Sequence, residues 1–270
     1  MTYDITNLRV IAVDADGTIL PHGREEISER TREAFAKASA KGYEIFVNTG
    51  RHYTFIPDSF FTDIPIEYIG TVNGAALVKR DGTVLTAREI SENDMNRITA
   101  YCEEKGLGLG FKFRDSLVTY AHHQRFMDGY LVGEEQKGYL IKNGCDHTHH
   151  KTYGYPLGTF IIADEEDFRP LQEAFPEFTL AHSSKPGFDL FKTEVNKVLT
   201  AEDYLKIKGY TWENMIAFGD AGNDIPFLQK TAIGVAMGNG QDGIKEAADI
   251  IAPSISEDGV AYTLEKLGIV

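Results

Sequence analysis

Short apolar runs in this chain repeatedly end in a cluster of polar or glycine residues. The first run, Val10–Val13, leads directly into Asp-Ala-Asp-Gly-Thr at 14–18, and a helix-like segment bounded by Ser28 and Gly42 follows it. The other runs of this kind cover residues 45–47, 66–72, 215–218 and 233–237. Strands buried on both faces form continuous apolar runs, and parallel strands carry functional residues at their carboxyl ends. The pattern therefore predicts an α/β fold built on a parallel sheet.

Residues 84–189 lack this pattern and divide the chain. They contain short strand-like runs and helix-like segments, such as 91–105. After Val195 the apolar runs that end in polar clusters return. We therefore predict a Rossmann-like parallel-sheet core formed by residues 1–83 and 190–270, with an α+β domain inserted between them.

Two carboxylates, Asp14 and Asp16, follow the first apolar run at once and lie two residues apart. Carboxylates this close repel each other unless a positive charge lies beside them. A set of oxygen ligands favours Mg²⁺ over softer metals. Asp220 and Thr49 each follow another apolar run, so both should reach the same edge of the sheet.

Together these residues suit phosphoryl transfer, a reaction that depends mainly on charge compensation and in-line positioning. In this interpretation Asp14 is the nucleophile and forms an aspartyl-phosphate. Asp16 protonates the leaving oxygen and later activates water. Asp14 and Asp220 hold Mg²⁺, and the Thr49 hydroxyl donates to a phosphoryl oxygen.

Four motifs occur in order along the chain: Asp-Ala-Asp-Gly-Thr at 14–18, Thr49, Lys197, and Gly-Asp-Ala-Gly-Asn-Asp at 219–224. They resemble the four motifs of the haloacid dehalogenase superfamily phosphatases. Thr-Gly-Arg at 49–51 and Met-Gly-Asn at 237–239 are similar to its Cof-like subclass, which carries a large α/β cap between the second and third motifs. The resemblance implies Mg²⁺-dependent hydrolysis of a small phosphomonoester, often a sugar phosphate, with residues 84–189 as the cap.

The resemblance also implies the metal ligands, which are Asp14, the backbone carbonyl of Asp16, Asp220 and Asp224. For Asp224 it leaves open an indirect role through a water molecule or through Lys197. Asp224 is in addition a natural N-cap, because a helix is predicted to begin near Pro226.

Lys197 stands in the first turn of a predicted helix that Asn196 would cap. A positive charge at this position opposes the helix dipole, and such local misfits are typical of functional residues. Together with the other motifs, this misfit leads us to interpret Lys197 as a catalytic residue. The alternative is a solvated surface lysine.

Four more residues near these motifs are predicted to contact the substrate: Gly50, Arg51, Asn73 and Asn223. For Arg51 the alternative is an ordinary exposed arginine. For Asn223 it is an N-cap, and for Asn73 it is loop formation. Asn239 is interpreted as a loop former, with lining of the site as the alternative.

A glycine pattern at 238–243 fits G-x-G-x-x-G after a buried run, as in dinucleotide-binding sites. Its position near the end of the chain leaves little room for a further βαβ half, and a nicotinamide site would give Asp14, Asp16 and Asp220 no use. We therefore prefer the phosphatase interpretation.

A histidine-rich patch at 144–150 includes His147, His149 and His150. On an extended strand, His147 and His149 would share one face with Cys145, an arrangement that could bind zinc. A solvated polar loop and a substrate contact are the alternatives.

Composition limits the partners and the location. The net charge of −14 argues against a nucleic-acid surface and against anionic membranes, and no apolar run has the length of a membrane-spanning helix. The two cysteines, Cys102 and Cys145, cannot form a disulfide framework, and the first residues carry no secretory signal, so we expect a cytoplasmic protein.

The expected ligand is a small phosphorylated metabolite. The sequence determines neither its identity nor the oligomeric state of the protein. Two alternative functions remain: a phosphotransferase or phosphomutase that uses the same aspartyl-phosphate, and a sensor that binds phosphate without turnover.

Overall fold

The computed structural model describes residues 3–21, 23–182 and 185–270, which form two compact units. The first unit contains the chain up to Arg51 together with Ile56–Thr86 and Asn196–Val270. The second contains His52–Phe55 and Ala87–Val195. These bounds differ from the boundaries at 83/84 and 189/190 that the sequence predicted, and the short segment 52–55 was not anticipated.

The strands, in chain order, are β1 (Val10–Val13), β2 (Glu44–Asn48), β3 (Ile66–Thr71), β4 (Ala76–Lys79), β5 (Val84–Ala87), β6 (Gly108–Lys112), β7 (Leu117–Ala121), β8 (Ile141–Asn143), β9 (Gly158–Ile162), β10 (Phe178–His182), β11 (Phe188–Lys192), β12 (Met215–Gly219), β13 (Ile233–Ala236) and β14 (Ile250–Ile251). The α-helices, in the same order, are α1 (Glu29–Ala40), α2 (Asp58–Asp63), α3 (Glu92–Lys105), α4 (His123–Tyr130), α5 (His150–Tyr153), α6 (Phe168–Ala174), α7 (Lys197–Lys208), α8 (Ile225–Leu228), α9 (Asp242–Ala247) and α10 (Gly259–Lys266).

The first unit is built on an eight-stranded sheet with the order β14-β13-β12-β1-β2-β3-β4-β5. The strands from β14 to β3 pair in parallel, whereas β4 is antiparallel to β3. All of β1 is buried, which explains its wholly apolar sequence. The carboxyl ends of β1, β2, β3, β12 and β13 consequently lie at one edge, and the predicted Rossmann-like α/β core is confirmed.

Helix α7 packs on this sheet and begins at its functional edge. Tyr204 of α7 stacks on Phe46 of β2 with ring centroids 4.4 Å apart. The helix begins after Asn196, whose side chain accepts a hydrogen bond from the Val198 amide, and it ends at Gly209 in the left-handed conformation. The Asn196 cap agrees with the sequence prediction, so Lys197 is the first residue of the helix.

The second unit has a six-stranded sheet with the order β10-β11-β9-β6-β7-β8. Its strand pairs are antiparallel except β7 with β8, which is parallel. Helix α3 contributes Met95, Ile98 and Cys102 to one apolar cluster. Helix α4 packs against β6 so closely that a Cβ on Gly110 would lie 2.3 Å from the Phe126 ring. The inserted residues thus form the predicted α+β arrangement.

Candidate active site

A buried group of carboxylates lies at the carboxyl edge of the first sheet. Asp14 follows β1, and Asp220 follows β12; the two strands pair in parallel with Val13 opposite Phe218, so both aspartates lie at the same edge of the sheet. Asp224, in the short 3-10 turn after them, completes the group. Each of the three offers a carboxylate oxygen, and these oxygens lie within 4.8 Å of one another.

Lys197 lies among these carboxylates. Its side chain is 1% exposed, and its Nζ donates to Asp14 Oδ1 at 2.5 Å and to Asp224 Oδ1 at 2.7 Å. The alternative of a solvated surface lysine is therefore wrong. Burial acts to lower the pKa of Lys197, but the two carboxylates outweigh it and raise the pKa above the ordinary lysine value.

The charges of this group do not balance. Three buried or half-buried carboxylates face one ammonium group, so negative charge is in excess. Burial raises the pKa of Asp14 well above its ordinary value, and Asp224 and Asp220 raise it further, although Lys197 acts in the opposite direction. A divalent cation among the oxygens would remove this repulsion, and a donor set of oxygens alone suits a hard ion. The residues present therefore fit Mg²⁺.

Asp224 has structural contacts as well. It is fully buried, and its Oδ2 accepts hydrogen bonds from the backbone amides of Asp220 at 3.2 Å and Ala221 at 3.3 Å. The carboxylate therefore fixes the loop that carries Asp220 while its Oδ1 binds Lys197. This geometry agrees with a role through Lys197, and direct metal ligation by Asp224 stays a prediction.

Asp16 lies apart from the buried group and is bound by Arg51. The guanidinium donates from Nε to Asp16 Oδ2 at 2.8 Å and from Nη2 to Oδ1 at 2.7 Å. Gly17 makes the turn after Asp16 possible, since it has φ +79° and a Cβ there would lie 2.2 Å from Asp220 Oδ2. Arg51 is thus neither an ordinary exposed arginine nor placed solely for a substrate, because both oxygens of Asp16 hold it.

Thr49 is buried at the end of β2, where its amide donates to the Gly70 carbonyl at 2.8 Å. Its Oγ1 accepts from the Arg51 amide at 3.1 Å, so its hydroxyl proton is left to be donated elsewhere.

Asn48 is a supporting residue of the site that the sequence pattern did not single out. It is fully buried, its Nδ2 donates to the Lys197 carbonyl at 2.8 Å, and its Oδ1 accepts from Thr200 at 3.0 Å. Asn48 therefore fixes the first turn of α7 beside the sheet. The available signal was a polar residue at the end of an apolar run, directly before Thr49.

Three of the predicted substrate residues are brought together. Asn223 Nδ2 donates to Asn73 Oδ1 at 3.0 Å, and a Cβ on Gly50 would lie 2.9 Å from the same oxygen. Asn239 instead fixes two loops, since it donates to the Gly17 carbonyl at 2.8 Å and accepts from the Ile255 amide at 2.7 Å. The loop-forming interpretation of Asn239 is confirmed.

The glycine pattern at 238–243 does not present its amides to a ligand. The amides of Gly238, Gly240 and Gln241 donate to the backbone carbonyls of Pro253, Met237 and Asp220, respectively. Helix α9, which follows, has only six residues. The preference against a dinucleotide site is thus supported by the geometry.

The histidine-rich patch, in the second unit, does not form an extended strand. His147 has φ +54° and stacks on Tyr120, with ring centroids 5.2 Å apart. His149 Nε2 contacts Asp115 at 3.0 Å, and His150 Nδ1 contacts the Tyr120 hydroxyl at 3.1 Å. The shared face on which the zinc interpretation depended is therefore absent. Among residues 3–21, 23–182 and 185–270, the group of metal-ligating side chains that comes together is that of Asp14, Asp220 and Asp224.

None of the helices that the structure describes combines the length and the apolar character needed to cross a membrane.

Comparison with known proteins agrees with this geometry. A family model for haloacid dehalogenase-like hydrolases matches residues 11–264. The chain is 27% identical over 260 residues to the 5-amino-6-(5-phospho-D-ribitylamino)uracil phosphatase YcsE of Bacillus subtilis, covering 96% of this chain and 95% of that protein. It is 25% identical over 279 residues to the pyridoxal phosphate phosphatase YbhA of Escherichia coli, covering 94% and 96%. The solved structure of the HAD subclass IIB sugar phosphatase BT4131 matches with a TM-score of 0.82 at 24% identity, covering 97% of this chain and all of that one.

Proposed function

Because the chain belongs to the haloacid dehalogenase-like hydrolases, we propose that it hydrolyses small phosphomonoesters with Mg²⁺ as cofactor, and that sugar phosphates are among its substrates. It is a phosphatase of this superfamily, as are its curated relatives. The observation that carries the proposal is the buried contact of Lys197 with Asp14 and Asp224, beside Asp220.

In the first step, an Asp14 oxygen forms a bond to phosphorus while the bond between phosphorus and the leaving oxygen breaks, and Asp16 gives that oxygen a proton. Lys197 occupies Asp14 Oδ1, which leaves Oδ2 as the attacking atom. In the second step, water attacks phosphorus, Asp16 takes the water proton, and the bond to Asp14 breaks, which releases phosphate.

Other residues would position the phosphoryl group. Thr49 has a hydroxyl proton to donate, and Lys197 supplies a fixed positive charge beside the nucleophile. When bound, Mg²⁺ held by Asp14, the Asp16 carbonyl, Asp220 and Asp224 would neutralise the carboxylates and the charge that develops on the phosphoryl oxygens. Arg51 must release Asp16 before Asp16 can carry a proton, and an incoming phosphate dianion is a suitable new partner for a guanidinium.

The names of the relatives support the proposed substrate class. Two relatives are named for a ribitylaminouracil phosphate and for pyridoxal phosphate, and the solved neighbour is named as a sugar phosphatase. All three names describe an enzyme that acts on a small phosphorylated metabolite. We also propose a cytoplasmic location, which the free thiols of Cys102 and Cys145 support.

The test is phosphate release from a panel of phosphomonoesters with Mg²⁺, comparing the wild type with Asp14→Asn. We expect the variant to lose on the order of 10³-fold or more in kcat. Asp58→Asn, at the exposed first position of α2, is the matched control and should retain full activity. Equal rates for the wild type and Asp14→Asn would refute the mechanism.

The same panel separates the alternative functions. Addition of an acceptor alcohol would reveal a phosphotransferase if transfer exceeded hydrolysis. Recovery of intact ester after long incubation, with Mg²⁺-dependent binding, would instead indicate a sensor.

A further inference from the structure

The backbone directly after β3 adopts an unusual conformation. Val72, Asn73 and Gly74 have φ values of +51°, +53° and +97°, so three consecutive residues lie in the left-handed region. This region is uncommon for residues other than glycine, and especially for a β-branched residue such as Val72. Proteins retain such conformations where the surrounding structure enforces them, and they are concentrated at functional sites.

Contacts with two neighbouring segments of the active site enforce this turn. The Val72 amide donates to the Arg51 carbonyl at 3.1 Å, and the Asn73 amide donates to the Thr49 carbonyl at 3.2 Å. On its other side, a Cβ on Gly74 would lie 1.9 Å from the Asn196 carbonyl oxygen, one residue before Lys197. The turn therefore lies between the loop that carries Thr49 and the start of α7.

The side chain of Asn73 is held in one orientation. Asn73 is 5% exposed, and its Oδ1 accepts the hydrogen bond from Asn223 Nδ2. Its Nδ2 consequently points away from Asn223, and within the described residues it has no hydrogen-bond partner. Among the described residues, every buried side-chain nitrogen and oxygen has a hydrogen-bond partner. Because Asn73 Nδ2 has none among these residues, this atom must be in the solvent-accessible part of the residue.

We propose that Asn73 Nδ2 donates a hydrogen bond to a phosphoryl oxygen of the substrate, and that Asn223 is a positioning residue that turns this amide. The inference rests on the proposed phosphatase function and deepens it. The Asn73 amide adjoins Gly50, next to the Thr49 hydroxyl that we assign to another phosphoryl oxygen. A donor fixed in advance contributes to binding without a rotational cost at the moment of reaction.

The first experiment measures the binding of inorganic phosphate by calorimetry, with Mg²⁺ present, in Asn73→Gly and Asn73→Ala. A hydrogen bond to a charged group corresponds to about a 10-fold loss of affinity or more, and we expect both variants to show it. Glycine suits the left-handed backbone at least as well as asparagine, so Asn73→Gly should keep the fold, with a melting temperature lowered only by the loss of the hydrogen bond from Asn223. If Asn73 only formed the turn, Asn73→Gly would bind phosphate like the wild type, and that result would overturn the proposal.

The second experiment tests the orientation. Asn223→Ala removes the hydrogen bond that orients the Asn73 side-chain amide. Asn223→Asp presents only acceptor oxygens, so Asn73 Nδ2 would turn to donate to the new carboxylate and away from the phosphate. We expect a small loss of phosphate affinity for the first variant and a larger loss for the second. In the Asn73→Ala background both losses should shrink, because the group that they position is gone. Fully additive losses would show that Asn223 acts independently of Asn73 and would overturn its positioning role.

These outcomes are separable from the proposed function itself. A wild type that releases phosphate from esters, together with an unaffected Asn73→Gly, refutes the role of Asn73 alone. A wild type that neither binds phosphate nor releases it refutes both proposals.

Discussion

Lys197 supplies the positive charge that partly neutralises the buried carboxylates of the site. It is a buried ammonium group between two carboxylates, and it lies at a helix N-terminus, where a positive charge is otherwise unfavourable. The two ion pairs with Asp14 and Asp224 outweigh that local cost. The local misfit that marked this residue in the sequence therefore has its cause in the active site.

Replacing Lys197 by methionine should harm both stability and activity. The change keeps the length of the side chain but leaves Asp14 and Asp224 buried without their cation, which typically costs about 3–5 kcal/mol. We expect urea unfolding to show a loss of this order, and kcat to fall on the order of 10²-fold or more. Lys37→Met, at an exposed position of α1, is the control and should change neither quantity. An active, fully stable Lys197→Met would contradict the assignment.

Arg51 and Asp16 form the second charged contact of the site, and the geometry of that contact gives a prediction. Lysine cannot reproduce the two parallel hydrogen bonds of a guanidinium. If Arg51 moves from Asp16 to the substrate phosphate, Arg51→Lys should raise KM about 10-fold while kcat changes less than about 3-fold. Steady-state kinetics on the best ester of the panel measures both. A fall in kcat with unchanged KM would mean that Arg51 acts on Asp16 alone.

At the scale of elements, the sequence predicted what depends on local pattern. Strand β1 is an apolar run, and α3 lies between its N-cap Ser91 and its C-cap Gly106, so the apolar pattern and the capping residues predict both elements. The contact between Arg51 and Asp16 was not predictable, because it joins side chains 35 positions apart whose orientation depends on the turn at Gly17.

Other elements escaped prediction for related reasons. The segment 52–55 belongs to the second unit because it contacts residues far away in the sequence. The local sequence pattern of 52–55 does not predict such contacts. The patch at 144–150 has alternating histidines that suit a strand, but its side chains bind the Tyr120 hydroxyl and carbonyl and Asp115, which fix a turn instead. In both cases tertiary contacts override the local pattern.

His52 connects the segment 52–55 to the end of β6 and should make the stability of the second unit depend on pH. Its Nε2 contacts the Phe113 carbonyl at 2.5 Å, and its Nδ1 contacts Thr54. Burial lowers the pKa of His52 from 6.5 to about 4. The unfolded chain therefore binds a proton between these values that the folded chain does not, so the stability contribution is complete above pH 6.5 and is lost as the pH falls towards 4.

A pKa shift of this extent changes the free energy of unfolding by about 3 kcal/mol between pH 7 and pH 4. Urea unfolding of the wild type between pH 4 and 7, followed by circular dichroism, should show it, and His52→Gln should have a flatter dependence. His182→Gln removes an exposed histidine of the same unit and serves as the control. Parallel pH dependences for the wild type and His52→Gln would contradict the prediction.

For the whole molecule, the net charge of −14 makes the carboxylate group at the sheet edge costly to keep without a cation. A ligand that binds only the folded state stabilises it by about 2.7 kcal/mol at a concentration 100 times its Kd. We therefore expect Mg²⁺ to raise the melting temperature in proportion to the logarithm of its concentration, and a chelator to reverse the effect.

Asp220 makes this prediction specific to the proposed site. Asp220→Asn removes one charge from the three carboxylates, so the protein without metal should be at least as stable as the wild type while its Mg²⁺-dependent rise in melting temperature shrinks. Asp58→Asn removes the same charge from an exposed position and should keep the full rise. Because the readout is thermal unfolding, the result does not depend on knowing the substrate. An equal rise in melting temperature with Mg²⁺ in both variants would place the metal elsewhere. Stabilisation by Mg²⁺ would then reflect the net charge of the whole chain and not a site at the edge of the sheet.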